Sequence, residues 1–297
     1  MHPSLRTLGY ISALIATAIW SGNFLTSRFI ANELTPFVTT FLRWTTAICF
    51  LFPFAWKQFG AEWHIIRKHL PYYCATSFTG VVGMQVLIYQ AGHTTTALNM
   101  SLIASSTPIW AALFARIFLN DVISLRQIIG ITVAMFGTAM LITHGDINVL
   151  LQLQFTLGDL WMILAALLFA YYSILLRKKV HGVSPLPTLL ITFLLGFVML
   201  FPFAAWEFYN GATVPLTPQV LGSVLYIGLC ASLFAFIFWT KAVEAIGPVQ
   251  ASLVYCSLPF FSALGAYFLL DEHIRISQLL SGVFILGGTI IAMKKTK

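Results

Sequence analysis

The chain has 297 residues, 59% of them hydrophobic and only 8% charged, with a formal net charge of +7 and a mean hydropathy of +0.89. A soluble domain carries about 25% charged residues, so this chain cannot cover a water-facing surface and its solvent is mostly lipid. The basic residues sit in short clusters between apolar runs and not on one face, which excludes a nucleic-acid-binding domain.

A helix needs roughly 20 apolar residues to cross about 30 Å of hydrocarbon. Lipid offers backbone N–H and C=O groups no partner, so spans must be helices, and long continuous runs argue against a barrel. Ten spans are predicted, at approximately 8–28, 34–55, 71–91, 97–117, 125–143, 157–176, 185–206, 219–240, 248–269 and 276–293. The first has the look of a signal peptide as far as Ala16-Thr17-Ala18. Its Gly9, Leu25 and Arg28 nevertheless match Gly158, Ile174 and Arg177 at a shift of 149, which predicts a retained span. It carries Trp20 and Asn23 at i, i+3. The second holds Arg43, the only formal charge deep inside a span. The third places Gln85 and Tyr89 at i, i+4, with His93 expected in a loop beyond its outer end. The fourth sets Ser101, Ser105 and Pro108 on one helical face. The sixth carries Tyr171 and Tyr172, and the eighth ends on Trp239. The ninth repeats the face of the fourth with Ser252, Tyr255, Pro259 and Ser262. The longest connections, 56–70 and 207–218, leave no extramembrane domain. Cys49, Cys74, Cys230 and Cys256 lie in apolar stretches without CxxC spacing and read as small core residues. His64, His69, His144, His181 and His273 read as loop residues.

The stretch 98–137 recurs, shifted by 151, at 249–288. Ser101, Leu102, Pro108, Leu113, Leu119, Gln127 and Gly137 meet Ser252, Leu253, Pro259, Leu264, Leu270, Gln278 and Gly288, and Asn120-Asp121 meets Asp271-Glu272. Duplication of a membrane-spanning unit is the mark of a secondary transporter. Thirteen Lys and Arg fall on the side holding both termini and two, Arg28 and Arg275, on the other, so the termini are expected in the cytoplasm. Five spans per unit is an odd number, so the second unit enters from the opposite face. The expected fold is an all-α membrane protein, with ten transmembrane helices in two inverted-topology five-helix repeats, 1–148 and 149–297.

The first two spans contain Ala18-Ile19-Trp20-Ser21-Gly22-Asn23-Phe24 and Phe41-Leu42-Arg43-Trp44. The fourth and ninth contain 97–108 and 248–259, and the acidic turns read Leu119-Asn120-Asp121 and Leu270-Asp271-Glu272. In these motifs, their order and their duplication the chain resembles ten-helix members of the drug/metabolite transporter superfamily with two EamA-like domains. The family's first turn usually reads Gly-Glu where this chain has Asn120-Asp121, which keeps the charge. The resemblance implies export or uptake of small metabolites, most often amino acids, across a bacterial inner membrane. It also implies a cavity built from the first, third, fourth, sixth, eighth and ninth spans, with the second and seventh as movable walls. The fifth and tenth would serve as scaffold or homodimer surface.

Polar groups inside a membrane usually face the bundle interior. The expected substrate-binding residues are Trp20, Asn23, Arg43, Gln85, Tyr89, Ser101, Ser105, Tyr171 and Tyr255, with Pro108 and Pro259 as hinges. Arg43 reads either as a counter-charge for a carboxylate or phosphate, or as a structural arginine; the family places one there across many cargoes, which favours structure. The prolines free the carbonyls of Ala104 and Tyr255 for cargo, water or a side chain. Serines at these faces serve equally as helix glue, and Trp239 reads as a residue of the interfacial belt. No Asp or Glu lies mid-span, which argues against proton-coupled cation antiport, and one arginine is too few for phosphorylated cargo. A neutral or zwitterionic solute is left. No catalytic constellation, metal motif or cofactor motif is present, so neither an enzyme nor an ATP-driven pump is expected. A passive channel and a carrier of a lipid-linked solute are the alternatives. The expected partners are a small solute, membrane lipid and a second copy of the chain.

Overall fold

Proline sets where several helices begin. Pro36, Pro185, Pro218 and Pro248 each lie in a first turn, where the missing N–H has no intrahelical partner to lose and the fixed φ suits the helix. The computed structural model describes residues 3–95, 97–143, 146, 148, 156–261 and 276–293. All regular structure among them is helical. The helices are α1 (Pro3–Ile30), α2 (Pro36–Ile66), α3 (Leu70–Thr76), α4 (Met84–Thr94), α5 (Ala97–Ala104), α6 (Thr107–Phe118), α7 (Leu125–Ile142), α8 (Leu157–Arg177), α9 (Pro185–Tyr209), α10 (Pro218–Leu225), α11 (Ala235–Ile246), α12 (Pro248–Tyr255) and α13 (Ile276–Met293). Two wide π turns, Ser77–Gly83 and Tyr226–Phe234, join α3 to α4 and α10 to α11.

Among the described residues, four helical runs are long and apolar enough to cross a membrane: Pro36–Thr94, Leu157–Arg177, Pro185–Tyr209 and Pro218–Ile246. The first of these joins the predicted second and third spans. The expected loop at 56–70 is helix to Ile66 followed by a single 3₁₀ turn, Arg67–His69. Its Glu, Lys, Gln and Ala residues are good helix formers, and that propensity outweighs their polarity. His64 and His69 are therefore helical and exposed, and His93 ends α4, also exposed. The acidic turn Asp271-Glu272 and Ser262, His144 and His273 lie outside the described residues. The cysteines are all free; Cys256 is buried as expected, but Cys49 faces outward.

Helices α7 and α13 pack backbone against backbone. A Cβ on Gly130 would stand 2.5 Å from the Gly288 carbonyl oxygen, and one on Gly137 2.9 Å from that of Ser281. The index rises on one helix as it falls on the other, so the two are antiparallel. Gly137 and Gly288 are matched positions of the repeat, as are Gly130 and Ser281, so the two contacts exchange under the repeat shift. The same exchange occurs elsewhere. Gly9 of α1 meets Ala245 and Ile246 at the end of α11, while Gly158 of α8 meets Thr94 and Thr95 at the end of α4. Phe54, Val198, Phe201 and Leu286 point outward, as lipid-facing residues do. Trp44, Tyr172, Phe193, Phe236 and Trp239 fill the interior completely.

Gly288→Ala is expected to cost about 1–3 kcal/mol by overpacking against the backbone of Gly130 and Ala134. Gly287→Ala, at a position with nothing within 4 Å of the added methyl, is expected to be neutral or slightly stabilising. Thermal unfolding in detergent checks both; equal melting temperatures for the two variants contradict the packing.

Candidate functional site

A guanidinium in hydrocarbon must find acceptors for its five N–H bonds, and Arg43 draws its acceptors from three neighbouring elements. Its side chain is fully buried. Nη1 donates to Asn23 Oδ1 at 2.9 Å, Gln85 Oε1 at 2.9 Å and the Tyr89 hydroxyl at 3.1 Å. Nε donates to Ser232 Oγ at 2.5 Å, and Nη2 to the Ala231 carbonyl at 2.8 Å. Its Cζ also lies 5.2 Å from the Trp44 ring centre. The π turn in the second half makes part of this possible. Ser232 Oγ donates back five residues to the Ile227 carbonyl, and the Ala231 carbonyl accepts from both Arg43 and Trp20 Nε1. Every acceptor around Arg43 is neutral, so the positive charge is solvated but not cancelled.

Beside this polar knot stand four aromatic rings from α1, α8, α11 and α12. Trp20 lies 5.4 Å from Phe169, 5.3 Å from Trp239 and 5.9 Å from Tyr255, and Phe169 stacks on Trp239 at 4.9 Å. Trp239 Nε1 donates to Ser173 Oγ, which fixes the ring. Between the knot and the rings is a small void of about 10 Å³, lined by Trp20, Asn23, Met84, Gln85, Ile88, Phe169 and Tyr255. That is room for roughly one water, so the site is closed around its contents.

The structure brings Trp20, Asn23, Arg43, Gln85, Tyr89 and Tyr255 together. It places Tyr171 elsewhere, packed on Phe114 and Phe118, because the inward face of α8 at that level is taken by Tyr172. Ser105 is buried at a helix break, and the side chain of Ser101 lies outside the described residues. Trp239 is a correction: it is fully buried in the aromatic cluster, not in an interfacial belt. Counting from the end of the apolar run placed it too shallow, since the helix continues to Ile246. Phe169 and Ser232 were missed; their rank among many buried phenylalanines and serines depends on packing alone.

The predicted proline positions coincide with breaks. α5 stops at Ala104 and α6 starts at Thr107, while α12 stops at Tyr255. The carbonyl freed at Ala104 is taken by the Thr107 hydroxyl at 2.6 Å, and Ser106 and Ser257 cap the carbonyls of Ile103 and Val254. Cys256 Sγ approaches the Ser105 carbonyl at 3.4 Å, joining matched positions of the two breaks.

Two carboxylates fasten α2 to α9 at opposite ends. Glu207, near the end of α9, accepts from the Thr35 hydroxyl and from Val38 N in the first turn of α2. Glu62, near the end of α2, accepts from Ser184 N and Oγ at the start of α9. Each carboxylate caps a helix N-terminus of the other unit, where four N–H groups lack partners and the dipole favours negative charge. The pairs were visible as Thr35-Pro36 and Ser184-Pro185, 149 residues apart, each answered by a late glutamate.

Both halves, 7–143 and 156–294, match the EamA-like transporter family. The uncharacterized transporter YyaM of Bacillus subtilis is 25% identical over 227 residues, which cover 76% of this chain and 74% of YyaM. A probable terminal-alkyne amino-acid exporter of Streptantibioticus cattleyicolor is 23% identical over 229 residues, 77% of this chain and 75% of its own. A solved crystal structure covers 98% of both chains with a TM-score of 0.75 at 16% identity, a similarity of fold alone.

Arg43→Lys keeps the charge but replaces a five-donor fork by a point donor. It is expected to lower stability by about 2–4 kcal/mol through hydrogen bonds left unmade to Ser232, Asn23 and Gln85. Thermal unfolding measures this, and a wild-type melting temperature contradicts the structural role.

Proposed function

We propose that this protein is a carrier of small zwitterionic solutes, amino acids foremost, and the premise is plain: the chain belongs to the EamA-like transporter family. It is a multi-pass membrane protein, and the family's members are transporters, not enzymes. One observation carries the choice of cargo. The amide oxygens of Asn23 and Gln85 are both committed to Arg43, so their NH₂ groups are the ends left to face the void. Two amide donors backed by an uncancelled positive charge suit a carboxylate. Across the intervening amide, at roughly 7 Å and an effective dielectric near 20, that charge is worth about 2 kcal/mol to an anion. The Trp20, Phe169 and Tyr255 faces suit an apolar side chain, and their π faces accept an ammonium. In this reading Arg43 is a positioning residue that holds two donors towards cargo.

Transport follows from two units of opposite orientation. The antiparallel α7–α13 contacts and the exchanged glycine contacts at the ends of α4 and α11 support an inverted pair, and the distribution of Lys and Arg supports ten spans with both termini in the cytoplasm of a bacterial cell. The Glu207 fastening then closes the outer end of the α2–α9 pair and the Glu62 fastening its inner end. With both made the site is sealed, as its small volume requires; release of one opens the site to one side only. The breaks before Pro108 and Pro259 give the flanking helices a place to bend. The similarity to an amino-acid exporter supports an outward direction.

Proteoliposomes loaded with unlabelled L-phenylalanine are expected to accumulate tritiated L-phenylalanine transiently and saturably. Tyr255→Ala is expected to reduce this counterflow at least tenfold and Phe284→Ala, on the lipid side of α13, by less than twofold. Unsaturable flux identifies a channel instead, and equal effects of the two variants remove Tyr255 from the site.

A further inference from the structure

A second cavity, of about 410 Å³, lies between α2, α9 and α11, one helical turn beyond the aromatic cluster. Leu186, Leu189 and Ile237 form its apolar wall, and Gln58, Lys241 and Glu244 its polar rim. Ser184, which the Glu62 carboxylate holds, also lines it. Its volume falls in the range of small-molecule sites, whereas the central void is some forty times smaller.

One observation at its inner wall points to a ligand. Thr240 is 8% exposed, lines the cavity, and its hydroxyl makes no hydrogen bond of good geometry. The buried hydroxyl of Tyr172 stands behind it, close enough for the two to interact, and also makes no hydrogen bond of good geometry. A buried hydroxyl without a well-formed partner costs free energy, and the one on the cavity wall is that of Thr240, with Tyr172 behind it. The rim offers both signs of charge. The Lys241 ammonium is exposed, and Glu244 is bridged to Lys179 at 3.0 Å on the solvent side. Tyr172 packs on Phe236, which touches Trp20, so a chain of rings runs from behind this cavity to the central cluster.

We propose that this cavity is a second, vestibular binding site for the carried solute, in which Lys241 takes its carboxylate, Glu244 its ammonium and Thr240 a hydrogen bond from within the wall. The inference rests on the carrier reading above for the class of solute. The Glu62–Ser184 fastening crosses the cavity's side, so a solute seated there is positioned to enter the central site when that fastening opens. The sequence assigns this end of the bundle to the cytoplasmic face, which makes the vestibule the loading side of an exporter.

Equilibrium binding of tritiated L-phenylalanine to the purified full chain in nanodiscs tests this. The wild type is expected to bind two molecules per chain. Ile237→Trp, which fills the cavity, is expected to bind one, and Tyr255→Ala to retain one. Thr240→Val, which keeps the shape and removes the hydroxyl, is expected to weaken the Ile237-sensitive site roughly fivefold. One molecule per chain in the wild type, unchanged by Ile237→Trp, overturns the vestibule while leaving the central site in place. One molecule per chain in the wild type, lost in Ile237→Trp and unaffected by Tyr255→Ala, overturns the central assignment instead. No binding to any form overturns both.

Discussion

The interior is organised around one charge that has nowhere to go. Among the described residues no carboxylate touches Arg43, and an unsolvated guanidinium at this depth is not tolerated. The protein answers with neutral acceptors from α1, from α4 and from the π turn before α11. That requirement explains several features at once. It fixes which way two amides point, it makes use of a widened helical turn, and it ties both halves to one side chain of α2. The charge is satisfied as a donor but not neutralised as a charge, and the proposed carrier reading uses that difference to let a structural arginine also serve cargo.

The rest of the architecture comes in exchanged pairs. Glycines bring α1 to α11 and α8 to α4, a carboxylate caps each of α2 and α9 from the other, and a helix break occurs in each half before a matched proline. A packed interface has discrete arrangements and does not deform continuously. Two equivalent fastenings at opposite ends of one helix pair therefore offer two equivalent ways to let go. The halves are not identical in detail: Thr107 caps the carbonyl freed in the first break, whereas Leu258 stands at that position in the second. In the proposed mechanism such differences allow the two open states to differ in energy.

Much of this was legible in the sequence for a physical reason. Lipid leaves only helices, so apolar runs and intramembrane polar residues carry more information than they do in water. Asn23, Arg43, Gln85 and Tyr89 stood out for that reason and converge. What was not legible depends on helix rotation and length. Tyr171 and Tyr172 are adjacent and differ by about 100° around α8, which periodicity could not resolve without a neighbour to define inside. Trp239 was judged by its place at the end of an apolar run, but helix α11 continues past that run, through Lys241, to Ile246. The loop at 56–70 was read from polarity, which does not prevent a helix from continuing into water.

The account stands or falls on the two units facing opposite ways. Glu62 and Glu207 make the two fastenings at opposite ends of the α2–α9 pair, so single cysteines at these positions in an otherwise cysteine-free chain report the orientation directly. With a membrane-impermeant thiol reagent, position 207 is predicted to be labelled in intact cells and position 62 only in inverted vesicles. Labelling of both from the same face contradicts the inverted pair, and with it the assignment of the two fastenings to opposite sides of one membrane.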